Sequence, residues 1–330
     1  MARSFPSKTA HSDDQARQLA GASERRSISA SLVHSLRPHQ WTKNLLVFAG
    51  LVFAGADQSQ TQRFQTLSRS SAVLAAGEAF AVFCALSSVV YLVNDIMDRD
   101  TDRRHPTKRR RPIAAGDLPV PVAVVAAGLI AVGAEVAAFA LGWRFGVVAS
   151  LYLALQTLYS GPLKHIVILD VLTIAIGFVL RAVAGAVVLD VVISHWLFVC
   201  TILLALFIAL AKRRHELVLL AEGATSHRPI LGEYSAYLLD QMIAVVTAST
   251  LIAYIFYTIS PETEQKFGTS WLGLTIPFPL YGIFRYLYLV HQREGGGSPA
   301  DLLVQDRPLL ACVTLWVVAV ALIIYHPFVP

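Results

Sequence analysis

Long apolar runs separated by short polar and charged segments make up most of the chain. A helix needs about 20 apolar residues to cross a bilayer, and nine runs are candidates, although the first and fourth are short. The runs cover about 43–56, 72–93, 119–141, 145–160, 166–190, 195–211, 242–259, 271–290 and 309–328. The pattern predicts an all-α polytopic membrane protein with nine transmembrane helices.

Composition supports this interpretation. Hydrophobic residues form 55% of the chain and charged residues only 15%, which is typical of a polytopic membrane protein and excludes an ordinary soluble protein of this length. Residues 1–28 are small, polar and charged, without the apolar core of a signal peptide. We therefore expect a disordered cytoplasmic tail, 1–28, followed by a single transmembrane domain, 29–330.

The basic residues are distributed unevenly between the two sides of the membrane. Of the 27 lysines and arginines, two fall inside spans and four fall on the side opposite the N-terminus: Arg181 and Arg285, then Arg63, Arg69, Arg144 and Lys266. All others share the side of the N-terminus. The positive-inside rule therefore places the N-terminus in the cytoplasm and the C-terminus outside.

A strip of acidic residues follows the second run. If that helix continues past Val93, residues three and four apart share a face, so Asn94, Asp95, Asp98 and Asp102 form one stripe and Asp100 points away. Hard oxygen ligands at the mouth of a bilayer suit Mg²⁺, which keeps waters and bridges substrate phosphates. The alternative is a solvated loop whose acids pair with the basic run behind them.

Several cations lie on the same side of the membrane as this aspartate strip. Lys43 opens the first run, where a lysine is more often an interfacial anchor than a ligand. Arg181 lies inside the fifth run, where a charge is costly unless it is paired or hydrated. It either pairs with an acid on another helix or binds an anion in a central cavity. The remaining candidates are Arg111, Lys164, Lys212 and Arg213, with Tyr159, Asp170 and Glu216 beside them.

The strip Asn94-Asp-x-x-Asp98-x-x-x-Asp102 resembles the first aspartate-rich motif of the UbiA superfamily of intramembrane prenyltransferases. The resemblance implies a helical bundle around a central cavity with cytoplasmic cap loops. It also implies Mg²⁺ held by Asn94, Asp95, Asp98 and Asp102, with a lateral opening for lipid. Mn²⁺ is expected to substitute for Mg²⁺.

The chain departs from the usual prenyltransferase after the sixth run, where Lys212-Arg-Arg-His-Glu216 stands in place of a second aspartate motif. This feature is similar to the decaprenyl-phosphate phosphoribosyltransferase branch of the superfamily. So are Tyr159-Ser-Gly-Pro-Leu-Lys164, Leu36-Arg-Pro-His-Gln-Trp-Thr-Lys-Asn44, Asp170, Leu239-Asp-Gln241 and Asp306-Arg-Pro308. The resemblance therefore covers residues 36 to about 310.

The resemblance to this branch implies that 5-phosphoribosyl is transferred from phosphoribosyl pyrophosphate to a polyprenyl phosphate, with release of pyrophosphate. Asp95, Asp98, Asp102 and Asp170 are then the catalytic candidates. The residues expected to bind the substrate phosphates are Lys43, Arg111, Lys164, Arg181, Lys212 and Arg213, and those expected to support them are Asn94, Tyr159 and Glu216.

Two alternatives stay open at the level of sequence. One is prenyl transfer from a prenyl diphosphate to an aromatic or other small acceptor, and the other is a lipid transporter or membrane scaffold. The predicted location is the plasma membrane, with the active site facing the cytoplasm. No nucleic-acid partner is expected, and a homo-oligomer is left open.

Overall fold

The computed structural model of the protein describes residues 27–54, 69–191, 195–219, 229–292, 302 and 305–325. Most of the predicted tail, 1–26, and parts of the predicted cap loops, 220–228 and 293–301, lie outside these residues. The part of the chain described is helical and contains no strand, in agreement with the predicted all-α class.

Thirteen α-helices are described in these ranges. They are α1 (Ile28–Leu36), α2 (Ala49–Ala54), α3 (Arg69–Met97), α4 (Arg99–Arg104), α5 (Pro112–Ala115), α6 (Val120–Leu141), α7 (Trp143–Ser160), α8 (Leu169–Val188), α9 (His195–Leu219), α10 (Ala236–Ile259), α11 (Pro261–Phe267), α12 (Pro277–Gln292) and α13 (Arg307–Tyr325). Short 3₁₀ helices connect them at Pro38–Phe48, Lys108–Arg110, Leu163–His165, Pro229–Glu233 and Trp271–Thr275.

Five of these helices are long and apolar enough to cross a bilayer: Ser71–Met97, Val120–Leu141, Leu169–Val188, Ala236–Ile259 and Arg307–Ile324. Large apolar side chains on their outer faces are exposed, such as Leu129 at 71%. An apolar exterior is what a lipid-facing helix requires. The chain is a multi-pass membrane protein; within the described residues five helices meet this length and composition, and the count of nine spans stays a prediction.

The first predicted span begins as a 3₁₀ helix, Pro38–Phe48, before α2. It lies against α8 through glycines: a Cβ on Gly185 would be 1.8 Å from the carbonyl oxygen of Val47, and one on Gly50 would be 2.7 Å from that of Gly185. Any larger residue at Gly185 would push this segment away. The close approach brings Asn44 beside Arg181 on α8.

Two apolar cores hold the bundle. One core joins α3, α7 and α8 around Phe83, Leu86, Phe145 and Tyr152. The other joins α9, α10 and α12 around residues that include Phe207, Leu210, Leu239, Ile243 and Tyr286. Polar side chains of both halves meet at one end of the bundle, where α3, α7 and α9 end and α8 and α10 begin.

Candidate active site

The aspartate strip lies where α3 passes into α4. The α-helical hydrogen bonds continue across the junction, from Asp98 N–H to the Asn94 carbonyl at 2.9 Å and from Asp102 N–H to the Asp98 carbonyl at 2.8 Å. Asp95 and Asp102 are buried, whereas the Asp100 side chain is 85% exposed. The structure therefore places Asp95, Asp98 and Asp102 along the bundle side of this segment and Asp100 outside it.

Each carboxylate of the aspartate strip contacts a cation. Arg111 Nη1 lies 3.1 Å from Asp95 and 2.6 Å from Asp102, so one guanidinium joins these two carboxylates. Lys164 Nζ lies 2.6 Å from Asp98. Arg37 Nη2 lies 2.5 Å from Asp95, and its guanidinium stacks over the Tyr91 ring at 5.0 Å.

The oxygen atoms of the aspartate strip are chemically suited to bind a divalent metal ion. Carboxylate and amide oxygens are the ligands that Mg²⁺ prefers, and Asp95 and Asp102 already converge on one cation. Within the described ranges, no three His, Cys, Asp or Glu side chains are gathered closely enough to form a metal cluster. Asp98 is directed to Lys164 instead, so two strip carboxylates with waters and substrate oxygens are the set that fits the ion.

Arg181 is 7% exposed, and its partners are neutral. Its Nε donates to Asn44 Oδ1 at 2.8 Å, Nη1 to the Gly177 carbonyl at 2.9 Å and Nη2 to the Tyr152 hydroxyl at 2.7 Å. Among the residues placed by the structure, it makes no ion pair with a carboxylate. The two readings from the sequence were an acid on another helix or an anion site, and these contacts favour the second.

Arg181 belongs to a group of cations. Lys43 lies within electrostatic range of Lys212, Arg181 and Arg37, which come from α9, α8 and the turn after α1. We call these four residues the cation cluster. Such a cluster is costly without a counter-anion, and phosphate is the anion that Arg and Lys bind best.

A second mixed-charge site, which we call the Asp170 site, lies at the start of α8. The Asp170 carboxylate is fully buried, with Oδ2 2.8 Å from Arg213 Nη2. The Tyr234 hydroxyl donates to Asp170 Oδ1 at 2.7 Å and accepts from Ile168 N–H at 2.7 Å. Arg213 Nη1 also contacts Glu216 at 2.8 Å, and Arg213 hydrogen-bonds Tyr159.

The groups of the Asp170 site hold one another in fixed charge states. Burial alone lowers the pKa of Arg213, but the carboxylates of Glu216 and Asp170 raise it by more, and the net shift is upward. Burial and the hydrogen bond to Asp170 raise the pKa of Tyr234 to about 12. Arg213 therefore stays charged and Tyr234 stays protonated near neutral pH. Lys212, the neighbour of Arg213, is 58% exposed, and its Nζ lies 4.0 Å from Glu216 Oε1. A long contact at an exposed position is weak.

The sequence candidates thus separate into three groups. Asp95, Asp98, Asp102, Arg111 and Lys164 meet in the aspartate strip, while Lys43, Arg181 and Lys212 meet in the cation cluster. The Asp170 site takes Asp170, Arg213, Glu216 and Tyr159. Sequence reasoning missed Arg37 and Tyr234, which contact candidates 58 and 64 residues away along the chain.

Comparison with known proteins gives one consistent family. A sequence model of the UbiA prenyltransferase family matches residues 45–305. The chain is 32% identical over 324 residues to the decaprenyl-phosphate phosphoribosyltransferase of Mycolicibacterium smegmatis, covering 96% of this chain and 98% of that one. It is also 32% identical over 325 residues to the enzyme of the same name from Corynebacterium glutamicum, covering 98% and 93%.

A solved structure has the same fold. A UbiA homolog from Archaeoglobus fulgidus, determined with geranyl diphosphate and Mg²⁺ bound, superposes with a TM-score of 0.65 at 18% identity. The match covers 89% of this chain and 99% of that chain.

Proposed function

The chain belongs to the UbiA prenyltransferase family, and on that premise we propose that it transfers 5-phosphoribosyl from phosphoribosyl pyrophosphate to a polyprenyl phosphate, releasing pyrophosphate, in a Mg²⁺-dependent reaction. The observation that carries the choice of donor is the buried Arg181 of the cation cluster, whose hydrogen-bond partners Asn44, Gly177 and Tyr152 are all neutral. The reaction joins two substrates that bring a diphosphate, a 5-phosphate and a lipid phosphate, and one acidic strip with one cation cluster suits that set of charges.

The aspartate strip holds the pyrophosphate end of the donor in this proposal. Asp95 and Asp102 are the carboxylates that would bind Mg²⁺, with Asp98 and Asn94 beside them in support, and the ion would neutralise the charge that builds on the leaving group. Arg111 and Lys164 stand beside these carboxylates and are placed to donate to pyrophosphate oxygens.

The cation cluster holds the other phosphates. Lys212 is exposed and is assigned to the 5-phosphate of the donor, and Lys43 to either phosphate. Arg181 is fixed by three neutral acceptors and contributes its positive charge to the cavity. Most of the rate enhancement then comes from positioning and electrostatic stabilisation.

The chemical step is a substitution at ribose C1. The bond from C1 to the pyrophosphate oxygen breaks, and pyrophosphate leaves with the electron pair. A lipid phosphate oxygen attacks C1 from the opposite face and forms the new bond. That oxygen is already anionic, so no strong general base is needed.

The roles of Asp170 and Arg213 differ from the sequence interpretation. Asp170 was a catalytic candidate, but its carboxylate is fully buried and engaged by Arg213 and Tyr234. Arg213 was one of six candidates for binding phosphate, but it faces two carboxylates. We therefore assign both residues to positioning: they fix the start of α8 and the end of α9, from which Lys212 projects.

The finer topology is part of the proposal. Each of the nine predicted spans falls on a helix or a helical pair, including α2, α7, α9 and α12. Nine crossings with a cytoplasmic N-terminus put the aspartate strip and the cation cluster at the cytoplasmic face. Phosphoribosyl pyrophosphate is water-soluble, so this is where the donor must enter. A plasma-membrane location, a capped central cavity and substitution of Mn²⁺ for Mg²⁺ belong to the same proposal.

The test supplies purified protein, reconstituted in vesicles, with labelled polyprenyl phosphate, an aromatic small acceptor and either phosphoribosyl pyrophosphate or a prenyl diphosphate. Mass spectrometry of the lipid product should show the added phosphoribosyl group and release of pyrophosphate. Prenylation of a small acceptor instead would establish the rival enzymatic reading. Lipid movement without any covalent product would establish a transporter.

A further inference from the structure

Three cations from separate parts of the chain neutralise the three carboxylates of the aspartate strip. Arg37 comes from the turn after α1, Arg111 from the start of α5 and Lys164 from the turn after α7. The carboxylates of Asp95 and Asp102 are 2% and 3% exposed, whereas the side chains of Arg37 and Arg111 are 21% and 25% exposed. In the third pair both partners reach solvent, Asp98 at 31% and Lys164 at 16%. Every pair therefore has at least one partly exposed partner, and at Asp95 and Asp102 that partner is the cation.

This pairing opposes both ligands of the site. Each strip carboxylate gives one oxygen to a guanidinium or ammonium group, Asp95 Oδ1, Asp102 Oδ2 and Asp98 Oδ1, so a divalent cation bound there would lie close to these positive charges and be repelled by them. An anion likewise gains little from a cation that a carboxylate already holds, because each charge is cancelled at short range. Both penalties fall if the cations change partner from carboxylate to anion.

We infer that Arg37, Arg111 and Lys164 exchange partners when the site fills: they leave the aspartate strip to a divalent metal ion and bind the diphosphate oxygens that arrive with it. This inference rests on the proposed function only in that the strip binds a metal diphosphate. Metal and diphosphate then bind with strong positive coupling. By linkage, each must raise the affinity of the other by the same factor.

Arg37 acquires a role that sequence reasoning did not give it. Its guanidinium contacts Asp95 and the face of the Tyr91 ring, and it lies within electrostatic range of Lys43. Arg37 is therefore the member of the cation cluster that also contacts the aspartate strip. In the proposed exchange, its guanidinium leaves Asp95 for an anion bound at the strip.

Pyrophosphate and Mg²⁺ alone test the coupling, by isothermal titration calorimetry on the purified full chain. We expect Mg²⁺ to bind about 5- to 150-fold more tightly with saturating pyrophosphate than without it, the usual range for coupled sites, and pyrophosphate to gain the same factor from Mg²⁺. The free solution complex of the two ligands must be subtracted from both titrations. Equal affinity of Mg²⁺ with and without pyrophosphate would overturn the inference.

Substitution of Arg37 gives two changes of opposite sign. Arg37→Gln removes one competitor for Asp95, so the affinity for Mg²⁺ alone should rise, and it removes one donor to the anion, so the Mg²⁺-dependent affinity for pyrophosphate should fall. Arg37→Lys should retain most of the coupling. The matched control is Arg110→Gln, which changes an exposed arginine of the same basic run and should alter neither affinity.

A merely structural Arg37 would give a different result. Both affinities would then fall together with the melting temperature, and the inference would be wrong. If Arg37→Gln does not fold, Lys164→Gln serves in its place, because Lys164 holds the separate carboxylate of Asp98. Both donor types of this family carry a diphosphate, so the pyrophosphate result stands even if phosphoribosyl transfer fails its own test.

Discussion

The aspartate strip and the Asp170 site are both mixed-charge clusters at the same end of the bundle, yet they differ in burial. The strip cations are 16–25% exposed, whereas the Arg213 side chain is 3% exposed and contacts an Asp170 that is fully buried. A partly exposed ion pair is easily exchanged, but a buried one leaves a stranded charge if either partner is removed. The strip is therefore built to exchange partners, and the Asp170 site is built to stay closed.

The difference also matches the proposed roles, in which the strip binds substrate and the Asp170 site positions the helices. In the proposed exchange, the strip carboxylates bind a metal ion after their arginine or lysine partner leaves. The displaced cation stays close enough to bind the diphosphate. The Asp170 carboxylate joins α8, α9 and the segment before α10 through Arg213 and Tyr234, so its loss would affect three elements at once.

Among these tests, removal of the metal ion should reduce turnover most. It acts on the aspartate strip and leaves the Asp170 site unchanged. Chelation with excess EDTA should abolish turnover, and Mg²⁺ or Mn²⁺ should restore it, since both accept oxygen ligands. Phosphoribosyl transfer to labelled lipid measures the effect. Full activity in excess EDTA would exclude an essential metal.

The loss of activity caused by an aspartate substitution should depend on the helical face that the residue occupies, and not only on the loss of its charge. Asp95→Ala and Asp102→Ala should each reduce activity by orders of magnitude, because both carboxylates converge at Arg111. Asp100→Ala should stay near wild type, since its side chain is 85% exposed. An Asp100 as sensitive as Asp102 would contradict the assignment by helical face.

Substitution of the two adjacent cations at the end of α9 should affect different properties: Arg213→Ala should lower stability, and Lys212→Ala should weaken donor binding. Arg213→Ala leaves Asp170 buried without its cation, and breaking such a pair costs about 3–5 kcal/mol. Thermal unfolding in detergent should show a large loss of stability. Lys212→Ala, at an exposed position, should unfold at the wild-type temperature.

Lys212→Ala should instead act on the donor. Loss of a charge-assisted contact to phosphate costs about 1.5–3 kcal/mol, so the KM for phosphoribosyl pyrophosphate should rise roughly 10- to 150-fold. Steady-state kinetics with saturating lipid measure this change. An unchanged KM would make Lys212 an interfacial anchor.

Local pattern was enough to predict the aspartate strip but not its partners. The 3.6-residue period of an α-helix placed Asp95, Asp98 and Asp102 on one face, and the helix indeed continues through Asp98. Arg37 was missed because its contact with Asp95 spans 58 residues, which no local periodicity encodes. An arginine before Pro38, on the same membrane side as the strip, was the available signal.

The same limit applies to Lys212 and Arg213, which the sequence interpretation treated alike. Neighbours on a helix point about 100° apart, so one can be buried while the other is exposed. The helical period predicts that Lys212 and Arg213 point in different directions. Which of the two contacts Asp170 depends on how α8 packs against α9, and in the structure it is Arg213.

The smallest effect concerns Tyr234 at high pH. Its pKa is raised to about 12 by burial and by the hydrogen bond to Asp170, against about 10 in an unfolded chain. The folded state thus holds this proton more tightly, so the stabilisation is complete below about pH 10 and is lost as pH rises towards 12. Melting temperatures across that interval should fall less steeply in Tyr234→Phe, which carries no proton there. Tyr237, 74% exposed on α10, provides the control: Tyr237→Phe should leave the slope unchanged. Parallel slopes in the wild type and Tyr234→Phe would show that the Asp170 site opens before Tyr234 ionises, and the contrast between a closed site and an exchangeable strip would then fail.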